Sequence, residues 1–143
     1  MMAFEKSWRN LFYHRCRMLS GGVFLRLFLP QNPDTFIKPS LKLGSHARFV
    51  HPHCTHINCN KIGDYFIIYH CVTIGGINGE TPTIGNHVTI GCHSAILGGV
   101  KIGNNVNIGA GTIITKDIPD NCTVIGNHAY IVKLNGEQVS IKL

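Results

Sequence analysis

The chain has 143 residues, a net charge of +6 and 44% hydrophobic residues, which fits one domain, or one domain with an arm, able to bury a core. No basic run is interleaved with aromatics, which argues against a nucleic-acid partner, and no apolar stretch approaches the ~20 residues that cross a bilayer. The six cysteines, at positions 16, 54, 59, 71, 92 and 122, show no disulfide-framework spacing and follow no secretory leader. Reduced thiols in a cytoplasmic protein are therefore expected.

Residues 4–28 read as a helical arm. Trp8, Leu11, Phe12, Cys16 and Leu19 recur at helical spacing, with Arg9 and Arg17 on other faces. Ser20-Gly21-Gly22 interrupts the pattern, and Pro30, Asn32 and Pro33 end it. The first thirty residues carry Lys6, Arg9, Arg15, Arg17 and Arg26 against Glu5 alone. The plain reading is a cap over the open end of the domain that follows. A basic amphipathic helix also suits a membrane surface, so peripheral membrane contact through this arm is a second reading.

Residues 34–44 read as a lead-in, where Pro39 argues against a central strand. From Ile62 to Ile118 a grid of period six takes over: Ile62, Ile68, Ile74 and, after one interruption, Ile84, Ile90, Ile96, Ile102, Ile108 and Ile114. Gly63, Gly75, Gly85, Gly91, Gly103 and Gly109 follow six of these isoleucines directly. Four residues past the grid sites come Val72, Val88, Ser94, Val100, Val106 and Thr112, all small or buriable. A period of six fits neither a helix nor a plain strand. It fits an all-β solenoid, a parallel β-helix in which each hexapeptide is a short strand plus a corner and three hexapeptides make one triangular turn. The isoleucines should point inward. The glycines should sit at corners that need positive φ or close backbone approach.

The grid fails in two places. Leu43 and Phe49 are six apart, but Ile57 lies eight beyond Phe49 and only five before Ile62. That irregular stretch holds His51-Pro52-His53-Cys54-Thr55-His56, and a break in an otherwise regular repeat is where function is expected. The second failure is the ten-residue step from Ile74 to Ile84, whose extra residues form a candidate binding loop. At the far end, Asn135-Gly136 between Val132 and Leu143 signals a terminal hairpin.

The Ile-Gly-x-x-Val-x repeats, Val72-Thr73-Ile74-Gly75-Gly76, Ile108-Gly109-Ala110-Gly111 and the run Thr115 to Asn121 resemble hexapeptide-repeat acyltransferases, most closely the serine acetyltransferase-like branch. The resemblance spans roughly residues 8–133. It implies left-handed winding and divides the chain into a helical arm (1–33), the β-helix (34–133) and a C-terminal strand or tail (134–143). It also implies acetyl-CoA as co-substrate, transfer to a hydroxyl of serine or of a sugar precursor, and a homotrimer with active sites at subunit boundaries.

In these relatives a histidine ahead of Ile-Asn is the general base, and His51 stands six before Ile57-Asn58. An imidazole with pKa near 6.5 can take the proton of an attacking hydroxyl. The resemblance further assigns Gly76, Ser94, Ala95, Gly109, Ala110 and Gly111 to the pantetheine groove, and Lys116 to the nucleotide phosphates. Val50 stands where the family usually has an aspartate, and Thr81-Pro82-Thr83 where it has a second histidine. These departures leave acceptors other than free serine open.

Two other readings compete. His46, His51 and His56 are spaced by fives, as in zinc hydrases on this fold, but the slipped register separates their corners and no metal is expected. A solenoid without chemistry is the other; it would gain no thermal stability from acetyl-CoA.

Overall fold

The computed structural model describes residues 34–126, 130–134 and 137–142. The expected helical arm and most of the Gly126-Asn127-His128-Ala129 turn lie outside the described residues. Within them the chain is a β-solenoid of about five turns, and no helix occurs.

Each turn contributes one short strand to each of three parallel faces. Face A stacks β1 (Thr35–Ile37), β4 (Thr55–Ile57), β7 (Thr73–Gly75), β10 (Ala95–Leu97) and β13 (Ile113–Ile114). Face B stacks β2 (Lys42–Leu43), β5 (Lys61–Ile62), β8 (Thr83–Ile84) and β11 (Lys101–Ile102), with a bridge from Ile102 to Ile118 below. Face C stacks β3 (Arg48–Phe49), β6 (Ile67–Ile68), β9 (Thr89–Ile90), β12 (Asn107–Ile108) and β14 (Thr123–Val124). An antiparallel pair, β15 (Tyr130–Leu134) and β16 (Glu137–Lys142), follows, as the Asn-Gly signal predicts.

Like stacks on like inside the prism. Ile37, Ile57, Ile74, Ile96 and Ile114 share one column of face A. Leu43, Ile62, Ile84 and Ile102 form the column of face B. Phe49, Ile68, Ile90, Ile108 and Val124 form that of face C. The isoleucines from 57 to 114 in these columns are all buried, and each buried side chain of this size contributes about 1.5–3 kcal/mol. Phe66, Val72, Val88, Ser94, Val100, Val106 and Thr112 fill the space behind the corners and are also buried.

Two expectations change. The lead-in over 34–44 is already the first turn: β1 and β2 lie within it, and Pro39 occupies the turn between them rather than a strand. None of the grid glycines has positive φ, and Gly63, Gly85, Gly91 and Gly103 are required instead by close backbone approach. A Cβ on Gly63 would lie 2.6 Å from the Gly85 carbonyl carbon, and one on Gly91 would lie 2.6 Å from the Ala110 nitrogen. Positive φ falls instead two residues after the face-B and face-C glycines, at Tyr65, His87, Asn105 and Gly111 among others.

Candidate active site

The corner from face B to face C is a regular ladder. Asp64 Oδ1 accepts from Ser45 N (2.6 Å) and Oγ (2.9 Å). Asn86 Oδ1 accepts from Asp64 N (2.9 Å), Asn104 Oδ1 from Asn86 N (2.9 Å) and Asp120 Oδ1 from Asn104 N (2.7 Å). Each side chain caps the turn above it. Main-chain donation from Ser45 and from Asn104 holds the carboxyls of Asp64 and Asp120 below the usual range. Outside this ladder His46, Tyr65 and His87 stack face to face, with centroids 4.5 and 4.6 Å apart. The sequence carries the signal as Gly/Pro followed by Asp/Asn at 63–64, 85–86, 103–104 and 119–120, a pattern the period-six reading alone passes over.

The corner from face C to face A differs. From the face-C strand to its face-A partner the chain takes five steps in three turns: 68 to 73, 90 to 95 and 108 to 113. Between Phe49 and His56 it takes seven. The two extra residues expand the corner around His51. His51 takes φ +47 and Cys54 φ +50, so the bend is made by two left-handed residues that pay a steric cost. Pro52 is buried and its carbonyl accepts the Thr35 hydroxyl. His53 N donates to His51 O (2.6 Å), and His53 O accepts from Cys71 N (2.8 Å). The main chain is thereby pinned while the His51 side chain points to solvent. Neither ring nitrogen of His51 is hydrogen-bonded among the described residues, and Val50 offers it no carboxylate.

The same edge descends through small residues. Ser94 is buried and donates to Gly109 O (3.0 Å); Ala95 lies half-exposed at the top of β10; Ala110 and Gly111 (φ +68) form the corner beneath. So His51, Ser94, Ala95, Gly109, Ala110 and Gly111 lie along one edge of the prism. Gly76 and Lys116 do not. They sit on the edge across face A, with the ten-residue interruption.

That interruption is a tight two-residue hairpin. Ile77 and Glu80 exchange main-chain hydrogen bonds of 3.0 and 3.1 Å around Asn78 (φ +54) and Gly79 (φ +86). This is a type I′ turn, and the Asn-Gly pair that makes it is visible in the sequence. The Glu80 side chain lies against Gly99, where a Cβ would come within 2.5 Å of its carboxylate. The hairpin is thus docked on the next turn, and below it a cavity of about 530 Å³ is lined by Asn78, Gly98, Thr115, Lys116 and Asp117, among others.

The histidines proposed as a zinc set are not together. His46 is in the stack on the B-to-C corner, His51 on the C-to-A corner, and His56 on the outside of face A, stacked on Phe36 at 4.5 Å. Among the described residues no group of three or more His, Cys, Asp or Glu side chains could hold a metal ion.

The bacterial transferase hexapeptide family (six repeats) matches residues 81–116. Over 141 residues the chain is 38% identical to a serine acetyltransferase of Staphylococcus epidermidis, covering 94% of this chain and 63% of that protein. The chain is a hexapeptide-repeat β-solenoid similar to the serine acetyltransferases. A serine acetyltransferase of Synechococcus elongatus is 39% identical over 82 residues, 54% of this chain and 34% of that protein. The crystal structure of Neisseria gonorrhoeae serine acetyltransferase in complex with serine superposes with a TM-score of 0.70 at 30% identity, over 86% of this chain and 55% of that one. The soybean serine acetyltransferase apoenzyme gives 0.71 at 28% identity, over 87% and 56%. The chain spans between 34% and 63% of the length of those two bacterial relatives. No helix among its described residues is long and apolar enough to cross a membrane.

Proposed function

We propose that this protein is a cytoplasmic O-acetyltransferase that moves the acetyl group of acetyl-CoA to the hydroxyl of a small acceptor, with His51 as general base. The supporting observation is the shared edge. The exposed imidazole of the expanded corner stands at the head of a column of small residues, Ser94-Ala95 and Gly109-Ala110-Gly111, whose main chain a thin, amide-bearing cofactor arm could approach. Lys116, on the opposite edge of face A, would offer its ammonium to the cofactor phosphates, and Gly76 would border the same path at the neck of the hairpin.

In the reaction His51 takes the hydroxyl proton as the acceptor oxygen attacks the thioester carbonyl. Main-chain N–H groups of the corner would stabilise the oxyanion. The carbon–sulfur bond then breaks and the coenzyme thiolate leaves with a proton. Because no described residue orients the imidazole, a group from a neighbouring subunit would do so.

The outer surfaces support a homotrimer, and the resemblance implies left-handed winding. The faces that flank the His51 corner carry apolar groups outward: Ile113 on face A is 69% exposed and Ile125 at the end of face C is 61% exposed. Face B instead places Lys42, Lys61 and Lys101 in one column with Thr83, a surface suited to water. Burying Ile113 and Ile125 around a threefold axis would put each His51 in a cleft completed by a neighbour.

Serine is the first acceptor to test, because it is the molecule bound in the N. gonorrhoeae relative; sugar hydroxyls come next, because Val50 departs from the aspartate of the serine acetyltransferase-like pattern. Purified protein is incubated with acetyl-CoA and each acceptor, and thiol release is followed. Release that depends on the acceptor and is abolished in His51→Ala is expected; full activity in that variant would refute the role of His51. Light scattering should report three chains per particle, and a monomer would overturn the shared cleft.

A further inference from the structure

The expanded corner carries an element that acetyl transfer does not use. In the pairing of β4 with β7, His56 faces Thr73, which brings Cys54 directly opposite Cys71 on the next turn. The Cys71 N–H bond to His53 O (2.8 Å) fixes the same register. Both cysteines occupy the left-handed corner position, Cys54 at φ +50 and Cys71 at φ +55, so their Cα–Cβ bonds leave the corner in the same direction. Left-handed backbone disfavours residues other than glycine, asparagine, aspartate and histidine. At the corresponding corner position the turns below have His93 and then Gly111. Two consecutive turns spend that cost on cysteine.

Spacing decides what such a pair can do. Neighbouring parallel strands lie about 4.8 Å apart, inside the ~4.4–6.8 Å Cα separation that a disulfide accepts. Burial, together with the neighbouring Cys54 and Cys92, pushes the Cys71 thiol up. Cys54 is the exposed partner and Cys71 the half-buried one. Cys59, by contrast, is fully buried with its thiol pushed up to about 12, an inert core residue.

We propose that Cys54 and Cys71 form a redox-sensitive dithiol that closes to a disulfide across two turns of the solenoid and thereby displaces the His51 corner. With a small disulfide such as oxidised glutathione as oxidant, the Cys54 thiolate attacks one glutathione sulfur and expels one glutathione thiolate. Cys71 then attacks the Cys54 sulfur of the mixed disulfide and expels the second. Two protein thiols are oxidised, one S–S bond forms between the turns, and two molecules of reduced glutathione are produced.

Closure has a geometric consequence. Stacked Cβ atoms ~4.8 Å apart must come to the ~3.8 Å of a disulfide, which pulls the corner by about 1 Å. His51 is three residues away, on a loop tied by the His53-to-His51 hydrogen bond. A misplacement of that size typically costs on the order of 10²-fold in rate. The effect on rate rests on the acetyltransferase reading above; formation of the bridge does not.

The test is to incubate the full chain with excess oxidised glutathione, digest it without reduction and map the peptides by mass. The expected product is a Cys54–Cys71 cross-linked peptide, present in wild type and in Cys92→Ser, and lost in Cys54→Ser and Cys71→Ser. Acceptor-dependent thiol release, measured after the glutathione is removed, should fall roughly ten- to hundredfold and return with dithiothreitol. Glutathione remaining on Cys54 without a cross-link, a bridge to Cys92 instead, or a bridge that leaves the rate unchanged would overturn the proposal. A protein that forms the bridge but transfers acetyl in neither redox state would count against the acetyltransferase reading, not against the dithiol.

Discussion

The two corners that border face C are made from the same repeat and do opposite things. At the B-to-C corner every turn spends an aspartate or asparagine on the turn above, from Ser45 down to Asp120, and the step length never varies. At the C-to-A corner the topmost turn is two residues too long, its side chains are histidine and cysteine, and the His51 ring is left without a protein partner among the described residues. A closed hydrogen-bond ladder stabilises but has no free valence for a substrate. The open corner has free valence, and the main-chain bonds beneath it hold its shape.

Substitutions should separate the two. The largest expected effect is on rate: His51→Ala lowers acceptor-dependent turnover by about 10²–10⁴-fold and leaves the melting temperature within a degree or two. A comparable loss of melting temperature would show that His51 is structural and that the corners are alike. Next in size is the shared interior. Ile74→Ala removes a fully buried side chain from the middle of the face-A column and should cost about 2–5 kcal/mol in denaturant unfolding. Breaking the closed corner is milder: Asn86→Ala leaves the Asp64 N–H without its acceptor and should cost about 1 kcal/mol with turnover unchanged. Of similar size, Gly79→Ala at φ +86 should cost about 1–2 kcal/mol from the left-handed backbone alone, since a Cβ there meets nothing within 4 Å.

The smallest effect is the pH response of the ladder. Asp64 and Asp120 titrate lower in the folded chain than in the unfolded one, so the unfolded state binds protons first as pH falls. Their contribution is complete above the ordinary carboxylate value near 4 and is lost as pH drops through their lowered values. Thermal scans should be flat on this account from pH 7 to 5 and decline below about 4, and Asp64→Asn, which keeps the acceptor oxygen, should blunt the decline. A decline of equal size in Asp64→Asn would place the acid sensitivity elsewhere.

What the sequence made legible follows from how the residues act. The inward columns announce themselves because an isoleucine every six residues has one physical use, and the fault between Phe49 and Ile62 is visible as a broken count. Ile37 escaped that count because Pro39 made its surroundings look unlike a strand, yet proline fits a solenoid corner without difficulty. The Asn78-Gly79 pair signals its hairpin in the sequence, but the docking of Glu80 on Gly99 depends on a residue nineteen positions away and does not show there. Positive φ at Cys54 and Cys71 could not be read from composition, since cysteine does not favour it, whereas histidine at position 51 is among the residues enriched there. Of the cofactor set, those on the edge of His51 share one corner, while Gly76 and Lys116 belong to the opposite one, a division that hexapeptide counting does not reveal.

The unbroken register of the inward columns also makes height an independent variable. Inserting or deleting one whole turn of about eighteen residues would leave every column continuous and would not touch the top corner. Any cleft running down the prism from His51 therefore lengthens or shortens in increments of about 4.8 Å. A lineage could adjust the length of such a cleft by adding or dropping storeys, with the His51 imidazole left at its fixed address.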